Sequence, residues 1–118
     1  MSNAAAHASA FYREVAQSQA VWTIRDDRGF PAPLNADGKR AQPFWSSKSR
    51  VEAVIAAASA YSGFTPVEIS WADFETRWVP GLESDGILAG VNWSGSRATG
   101  YDIKPSALRE NVCARERR

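Results

Sequence analysis

The chain has 118 residues, which is enough for one ordinary domain and too few for two. Hydrophobic residues make up 44% and charged residues 23%, as in globular proteins, and a net charge of +1 argues against a nucleic-acid-binding surface. One Cys and one His exclude an internal disulfide, a CxxC zinc site and a pair of His ligands.

The domain organisation follows from the absence of repeats, linkers and low-complexity segments. We expect a single domain over 1–118, with an ordered core at about 8–112 and a short basic C-terminal tail at 113–118. No apolar run is long enough to span a membrane, and the first residues lack the pattern of a signal peptide. We therefore expect a cytoplasmic protein that binds neither membranes nor nucleic acid.

The first half of the chain predicts a helix and two short strands. The segment 4–19 is rich in Ala and places apolar residues at helical spacing. The β-branched and aromatic residues of 21–25 predict a strand, which turn-forming residues close at 26–29. A second turn is predicted at 35–38, followed by a short strand at 42–46.

The next segments predict helices with recognisable first turns. Ser49 and Glu52 have the spacing of a capping box, with Ser49 as N-cap of a helix that ends at about Tyr61. A strand is predicted at 65–69. A second helix begins at Trp71 and is expected to end at about Val79, before Pro80 and Gly81.

The last third of the chain predicts a β-hairpin and a final helix. The hairpin joins 87–93 to 97–103 through the turn 94–96, and the helix runs from Pro105 to about Val112. Short strands and helices that alternate around an antiparallel hairpin indicate an α+β fold. We expect an antiparallel or mixed sheet with helices packed mainly on one face.

The hairpin contains a pair of glycines that strands do not favour. If its pairing is symmetric about Gly95, Gly90 lies opposite Gly100 and leaves a shallow trough between the side chains of Asn92 and Asp102. Either an aromatic ring or a helix backbone packs into this trough, or it accepts a ligand or a partner chain.

Tryptophans provide the other candidate binding residues. Trp71 and Trp78 share a helical stripe with Phe74, which is typical of a core. Trp45 and Trp93 lie beside turns, where an exposed aromatic face is expected. The candidate partner or ligand surface therefore comprises Trp45, Gly90, Asn92, Trp93, Gly100 and Asp102.

Catalytic constellations are absent from the sequence. No glycine-rich phosphate loop, nucleophile elbow or HExxH helix occurs, so we assign no catalytic residue, no cofactor and no metal ligand. An alternative hypothesis is a small enzyme or small-molecule-binding protein with a polar site. That site would be assembled from Arg25, Asp26, Asp37, Asn92 and Asp102.

Three sequence blocks, at 21–31, 43–47 and 90–95, resemble a family of small bacterial proteins catalogued as domain of unknown function 2750. The resemblance extends from about Phe11 to Leu108 and implies a single-domain bacterial protein. It supplies no activity, cofactor or catalytic residue that could be transferred to this chain. The order of elements also resembles SseB-like domains, which are linked to protein–protein roles.

The sequence therefore favours a non-catalytic protein-binding or interaction module, regulatory or immunity-like, with a protein partner or self-association. The alternatives are the small enzyme or ligand-binding protein described above and a structural role inside a homodimer. A deep pocket with convergent charges would favour the enzyme or ligand-binding protein. A flat apolar patch would favour the interaction module.

Overall fold

Five strands form one layer in the computed structural model, which describes residues 3–116. One pair of strands is antiparallel, and the other three form a mixed sheet. In the mixed sheet, the central strand is parallel to one edge strand and antiparallel to the other. The antiparallel pair is β1 (Ala20–Arg25) with β3 (Thr65–Ser70), and the mixed sheet has the order β2 (Ala41–Phe44), β4 (Leu88–Ser94), β5 (Thr99–Ile103).

A narrow junction connects the two sheets. Trp22 and Trp45 exchange two backbone hydrogen bonds, of 2.8 and 2.7 Å, which place β1 antiparallel beside β2. Pro43 has no N–H to continue this ladder. Instead, the buried hydroxyl of Thr23 donates to the Pro43 carbonyl at 2.8 Å. The strand order across the whole layer is thus β3-β1-β2-β4-β5.

Most of the helices pack on one face of this layer. Their shared core contains Phe11, Phe44, Phe74, Val91 and Leu108, all of them fully buried. The helices on this face are α1 (Asn3–Ser18), α3 (Trp71–Asp73), a π-helical stretch (Phe74–Trp78), α4 (Val79–Asp85) and α5 (Pro105–Glu116).

The opposite face carries α2 (Lys48–Ala57) and a 3-10 turn (Ser59–Tyr61). A second core lies beneath them, centred on Trp45 and including Val51 and Trp93. The structure is a single α+β domain with a mixed sheet and helices mainly on one face, as predicted. It differs from the sequence-based expectation at several helix ends.

The N-cap of α2 is Ser47, not Ser49. The Ser47 hydroxyl accepts a hydrogen bond from the amide of Arg50 at 3.3 Å, and the Ser49 hydroxyl lies 3.2 Å from that of Ser47. The reason is that Ser46 is bonded to β4, so the chain turns into the helix directly after it. The residues at 49 and 52 match the capping-box pattern, but Ser49 does not cap the helix.

The helix that begins at Trp71 does not end at Pro80. Its N-cap is Ser70, whose hydroxyl accepts a hydrogen bond from the Asp73 amide at 3.1 Å. A π-helical stretch follows, and α4 begins directly after it. Pro80 therefore lies in the first turn of α4, where no backbone N–H is needed. The helix ends instead at Gly86, whose φ of 69° is left-handed.

The C-terminal helix is longer than predicted and includes most of the expected tail. It continues past Val112 to Glu116, and Arg115 lies over the Tyr12 ring at 5.0 Å. Arg117 and Arg118, the last two residues of the predicted tail, lie outside the described residues. Within 3–116, no helix is long and apolar enough to cross a membrane.

Candidate functional site

A β-bulge sets the geometry of the β4–β5 hairpin. Asn92 and Trp93 together oppose the single residue Gly100, and Asn92 has a φ of 51°. Gly90 therefore lies opposite Asp102, not opposite Gly100, so the symmetric register expected from the sequence is wrong. The observed pairs around the bulge are Gly90↔Asp102, Val91↔Tyr101 and Ser94↔Thr99.

The bulge turns Trp93 onto the face where the two glycines lie. A Cβ atom on Gly90 would overlap the indole ring of Trp93, and a Cβ atom on Gly100 would lie 2.9 Å from Cδ1 of that ring. The predicted trough is therefore filled by an aromatic ring, which was one of the two alternatives. Glycine is needed at both positions because the indole lies directly on the backbone.

The two tryptophans expected to be exposed are buried. Trp45 is 0% exposed and Trp93 is 7% exposed. The indole N–H of Trp45 donates to the Trp93 carbonyl at 2.8 Å, so the two residues form one packed unit in the second core. Proximity to a turn did not predict exposure, because α2 covers this face of the sheet.

Asp102 lies at the side of a cleft of about 620 Å³ between the 33–39 loop and the hairpin. Its Oδ1 accepts a hydrogen bond from Trp93 Nε1 at 2.9 Å, and its Oδ2 accepts one from Asn35 Nδ2 at 3.1 Å. We call this space the Asp102 cleft. Its other lining residues include Leu34, Asp37, Lys39, Tyr61, Leu88, Arg97, Ala98 and Tyr101.

Asn35 is fixed by its own turn. Its Oδ1 accepts from the amides of Asp37 and Lys39, at 2.9 and 3.0 Å, which is the geometry of an Asx turn. The remaining end of the amide group, Nδ2, then points to Asp102. The sequence predicted this turn but not its contact with the hairpin, because nothing local indicates a partner 67 residues away.

The cleft combines apolar and polar surface. Leu34 is 62% exposed, whereas Tyr61 is only 8% exposed. Burial raises the pKa of the Tyr61 hydroxyl. This hydroxyl makes no hydrogen bond to any other residue of 3–116. Asp37, Lys39 and Arg97 are exposed, so charges of both signs lie at the rim.

A second polar network lies on the other face of the bulge. Asn92, which is 2% exposed, accepts from the Ser46 amide at 3.0 Å and donates to the His7 carbonyl at 3.0 Å. The Ser46 hydroxyl accepts from Asn92 Nδ2 and lies 2.6 Å from Glu14 Oε1. Asn92 thus connects β4 to α1 and does not border the cleft, contrary to the expected trough.

An ion pair completes this network. Arg50 binds Glu14 through two hydrogen bonds, from Nε to Oε1 at 3.0 Å and from Nη2 to Oε2 at 2.9 Å. The hydrogen bonds from Arg50 are the largest cause that lowers the pKa of Glu14, despite its partial burial. We refer to Glu14, Ser46, Arg50 and Asn92 as the Glu14 network.

The alternative polar site does not come together. Asp37 and Asp102 line the same cleft, but Arg25 and Asp26 do not border it and Asn92 faces α1. Arg25 lies over the Phe30 ring at 5.6 Å, and Asp26 accepts from the amide of Arg28 within its turn. Nowhere in 3–116 do three His, Cys, Asp or Glu side chains group as metal ligands.

Residues 8–112 match the family described as "Protein of unknown function (DUF2750)". The chain belongs to this family. Among curated proteins, none matches the chain. One similar solved structure, "Anabaena Tic22 (protein transport)", shares 12% identity at a TM-score of 0.43, over 70% of this chain and 46% of that chain. This DUF2750 protein thus spans less than half of that structure's length, and the resemblance to SseB-like domains is not confirmed.

Proposed function

We propose that this DUF2750 protein is a protein-binding module and that its partner inserts a segment of chain into the Asp102 cleft. The observation that carries the proposal is Leu34, which is 62% exposed at this cleft. The other exposed large hydrophobic residues of 3–116 are Phe30 and Tyr101, and Tyr101 borders the same cleft. Exposed apolar residues that gather at one concave site are typical of an interaction surface.

The distribution of polarity around the cleft supports this proposal. Leu88, Trp93 and Ala98 provide apolar lining, whereas Asp37, Lys39 and Arg97 are polar lining residues. An apolar centre with a polar rim is the usual anatomy of a protein interface. The volume of about 620 Å³ accommodates a few side chains of an inserted segment and no folded domain.

Photo-crosslinking in the native host tests the proposal at the level of single residues. A photoreactive phenylalanine analogue replaces Leu34 in one strain and Glu110, an exposed residue of α5, in a second strain. We expect a discrete adduct with one protein from position 34 and none from position 110. Mass spectrometry of the adduct then identifies the partner.

Binding of the purified partner provides the decisive measurement. We expect Leu34→Glu to weaken its affinity at least about tenfold, because the substitution places a charge in an apolar contact, and Glu110→Ala to leave it unchanged. Equal crosslinking from both positions, or an unchanged affinity of Leu34→Glu, would contradict the proposal. An adduct with a second copy of the chain would show that the protein self-associates at this cleft and that the proposed heterologous partner is wrong.

The compartment of the proposed interaction is the cytoplasm. A single Cys is consistent with a reducing environment, since disulfides are a feature of oxidising compartments. Fractionation of the native host tests this point: we expect the protein in the cytoplasmic fraction together with its crosslinked partner.

A further inference from the structure

The carboxylate of Asp102 has unused hydrogen-bonding capacity. Each oxygen accepts one hydrogen bond, from Trp93 Nε1 and from Asn35 Nδ2, whereas a carboxylate can accept about four. Both donors are neutral. No Lys, Arg or His nitrogen within 3–116 lies within 4.0 Å of this carboxylate, although the residue is partly buried.

The orientation of this carboxylate is fixed before any ligand arrives. The Asx turn holds the Asn35 amide, and the backbone at Gly90 and Gly100 holds the Trp93 indole. A group that binds Asp102 therefore does not have to order it. Such preorganisation lowers the entropic cost of binding.

The surroundings of Asp102 suit a positively charged group. Trp93 and Tyr61 line the same cleft, and aromatic rings attract cations. The Tyr61 hydroxyl is free of partners within the described part of the chain and can accept a hydrogen bond from a guanidinium or ammonium group.

The protein's own cations leave this position open. Lys39 and Arg97 also line the cleft, but both side chains are exposed and neither forms an ion pair in the described structure. Asp37 adds a second carboxylate to the lining. A cation entering the cleft would therefore meet acceptors that are not neutralised.

We infer that the Asp102 cleft binds a Lys or Arg side chain of the partner segment, with the charged group on the Asp102 carboxylate. This inference rests on the proposed function and specifies the chemistry of the partner. A charge-assisted hydrogen bond to a partly buried carboxylate is stronger than one between neutral groups, so the side chain's charge determines the binding.

A pair of small probes isolates that charge. Nα-acetyl-L-arginine amide and Nα-acetyl-L-citrulline amide have nearly the same shape, but only the first is cationic. The indole N–H of Trp93 donates to Asp102, so its NMR signal reports occupancy directly. We expect arginine amide to shift this signal with an affinity at least about tenfold higher than that of citrulline amide.

Two variants identify the carboxylate responsible. Asp102→Asn is expected to abolish the preference for arginine amide over citrulline amide. Asp73→Asn removes a carboxylate from the start of the helix on the opposite face and should retain the full preference. Equal affinities of the wild-type protein for the two probes, or an undiminished preference in Asp102→Asn, would overturn the inference.

The probes and the crosslinking experiment fail in different ways. If a partner crosslinks at position 34 but the cleft does not prefer arginine amide, the proposed function stands and the inference is wrong. If arginine amide binds and no protein crosslinks, the preference for a cation stands. The cleft is then a site for a small cationic molecule, and the proposed protein partner is wrong.

Discussion

Two carboxylate networks lie on opposite sides of one bulge, and they differ in how completely they are satisfied. In the Glu14 network, Arg50 neutralises the carboxylate through two hydrogen bonds, and Asn92 uses both ends of its side chain. At the Asp102 cleft, the carboxylate has two neutral donors and no cation within the described residues.

The difference separates structural from binding roles among chemically similar groups. A carboxylate whose cation is supplied by the fold contributes to stability, because folding itself brings the charges together. A carboxylate that is held in place without a cation contributes little to stability and can gain an ion pair from outside. The two networks begin at adjacent residues, Asn92 and Trp93, which the bulge directs to opposite faces.

Gly90→Val should have the largest effect on stability, because Gly90 packs against the Trp93 ring that lines the Asp102 cleft. Its Cβ atom would overlap the Trp93 ring, which is 7% exposed and is held by the hydrogen bond from its Nε1 to Asp102. We expect a loss of about 3 kcal/mol in the free energy of unfolding, measured with urea. Gly81→Ala is the control, since that helical glycine has nothing within 4 Å and the change should stabilise by up to about 1 kcal/mol. A stable Gly90→Val protein would contradict the packing of Trp93.

Asn92, the member of the Glu14 network that lies in the bulge, should have the next largest effect. Asn92→Ala removes its buried hydrogen bonds and places Ala at a φ of 51°, so we expect a loss of about 2 to 3 kcal/mol. Asn92→Gly removes the same hydrogen bonds but tolerates this φ, and its loss should be about 1 kcal/mol smaller. Equal losses in the two variants, compared by thermal and urea unfolding, would contradict the expected cost of a positive φ for Ala at position 92.

These residues also show where sequence-based prediction succeeded and where it did not. The strands, the turns and the helix at 4–19 follow from periodicity and turn chemistry, which are local. The hairpin register was wrong because symmetry about Gly95 ignores a bulge. Asn at position 92 was the available signal, since Asn adopts a positive φ more readily than other residues with a side chain.

The burial of the candidate surface was harder to predict, because it depends on tertiary contacts. Trp45 is covered by α2. Its position beside a turn in the sequence does not indicate which helix packs over it. The pairing of Glu14 with Arg50 joins residues 36 apart in the chain, and that of Asn35 with Asp102 joins residues 67 apart. Neither pairing has a spacing that identifies it.

Glu14→Gln tests the Glu14 network through the pH dependence of the free energy of unfolding. The lowered pKa of Glu14 means that its stabilisation is fully present above its ordinary value near 4.5 and is lost as the pH falls through the folded-state pKa. At about pH 7 we expect the variant to be about 1 to 2 kcal/mol less stable than the wild type, and this difference should shrink towards about pH 3. Arg77→Gln is the control: its side chain is 80% exposed, and we expect a change below about 0.5 kcal/mol. A pH-independent difference for Glu14→Gln would contradict the role of its charge.

Asp102→Asn should destabilise the protein less than the substitutions of Gly90, Asn92 and Glu14. Oδ1 of the asparagine can still accept from Trp93, and only the hydrogen bond from Asn35 is lost at a partly exposed site. We expect a change below about 1 kcal/mol in urea unfolding. A large loss would mean that the Asp102 carboxylate is structural like that of Glu14. A small loss together with abolished binding of the arginine probe would mean that the Asp102 carboxylate binds a cation from another molecule and contributes little to folding.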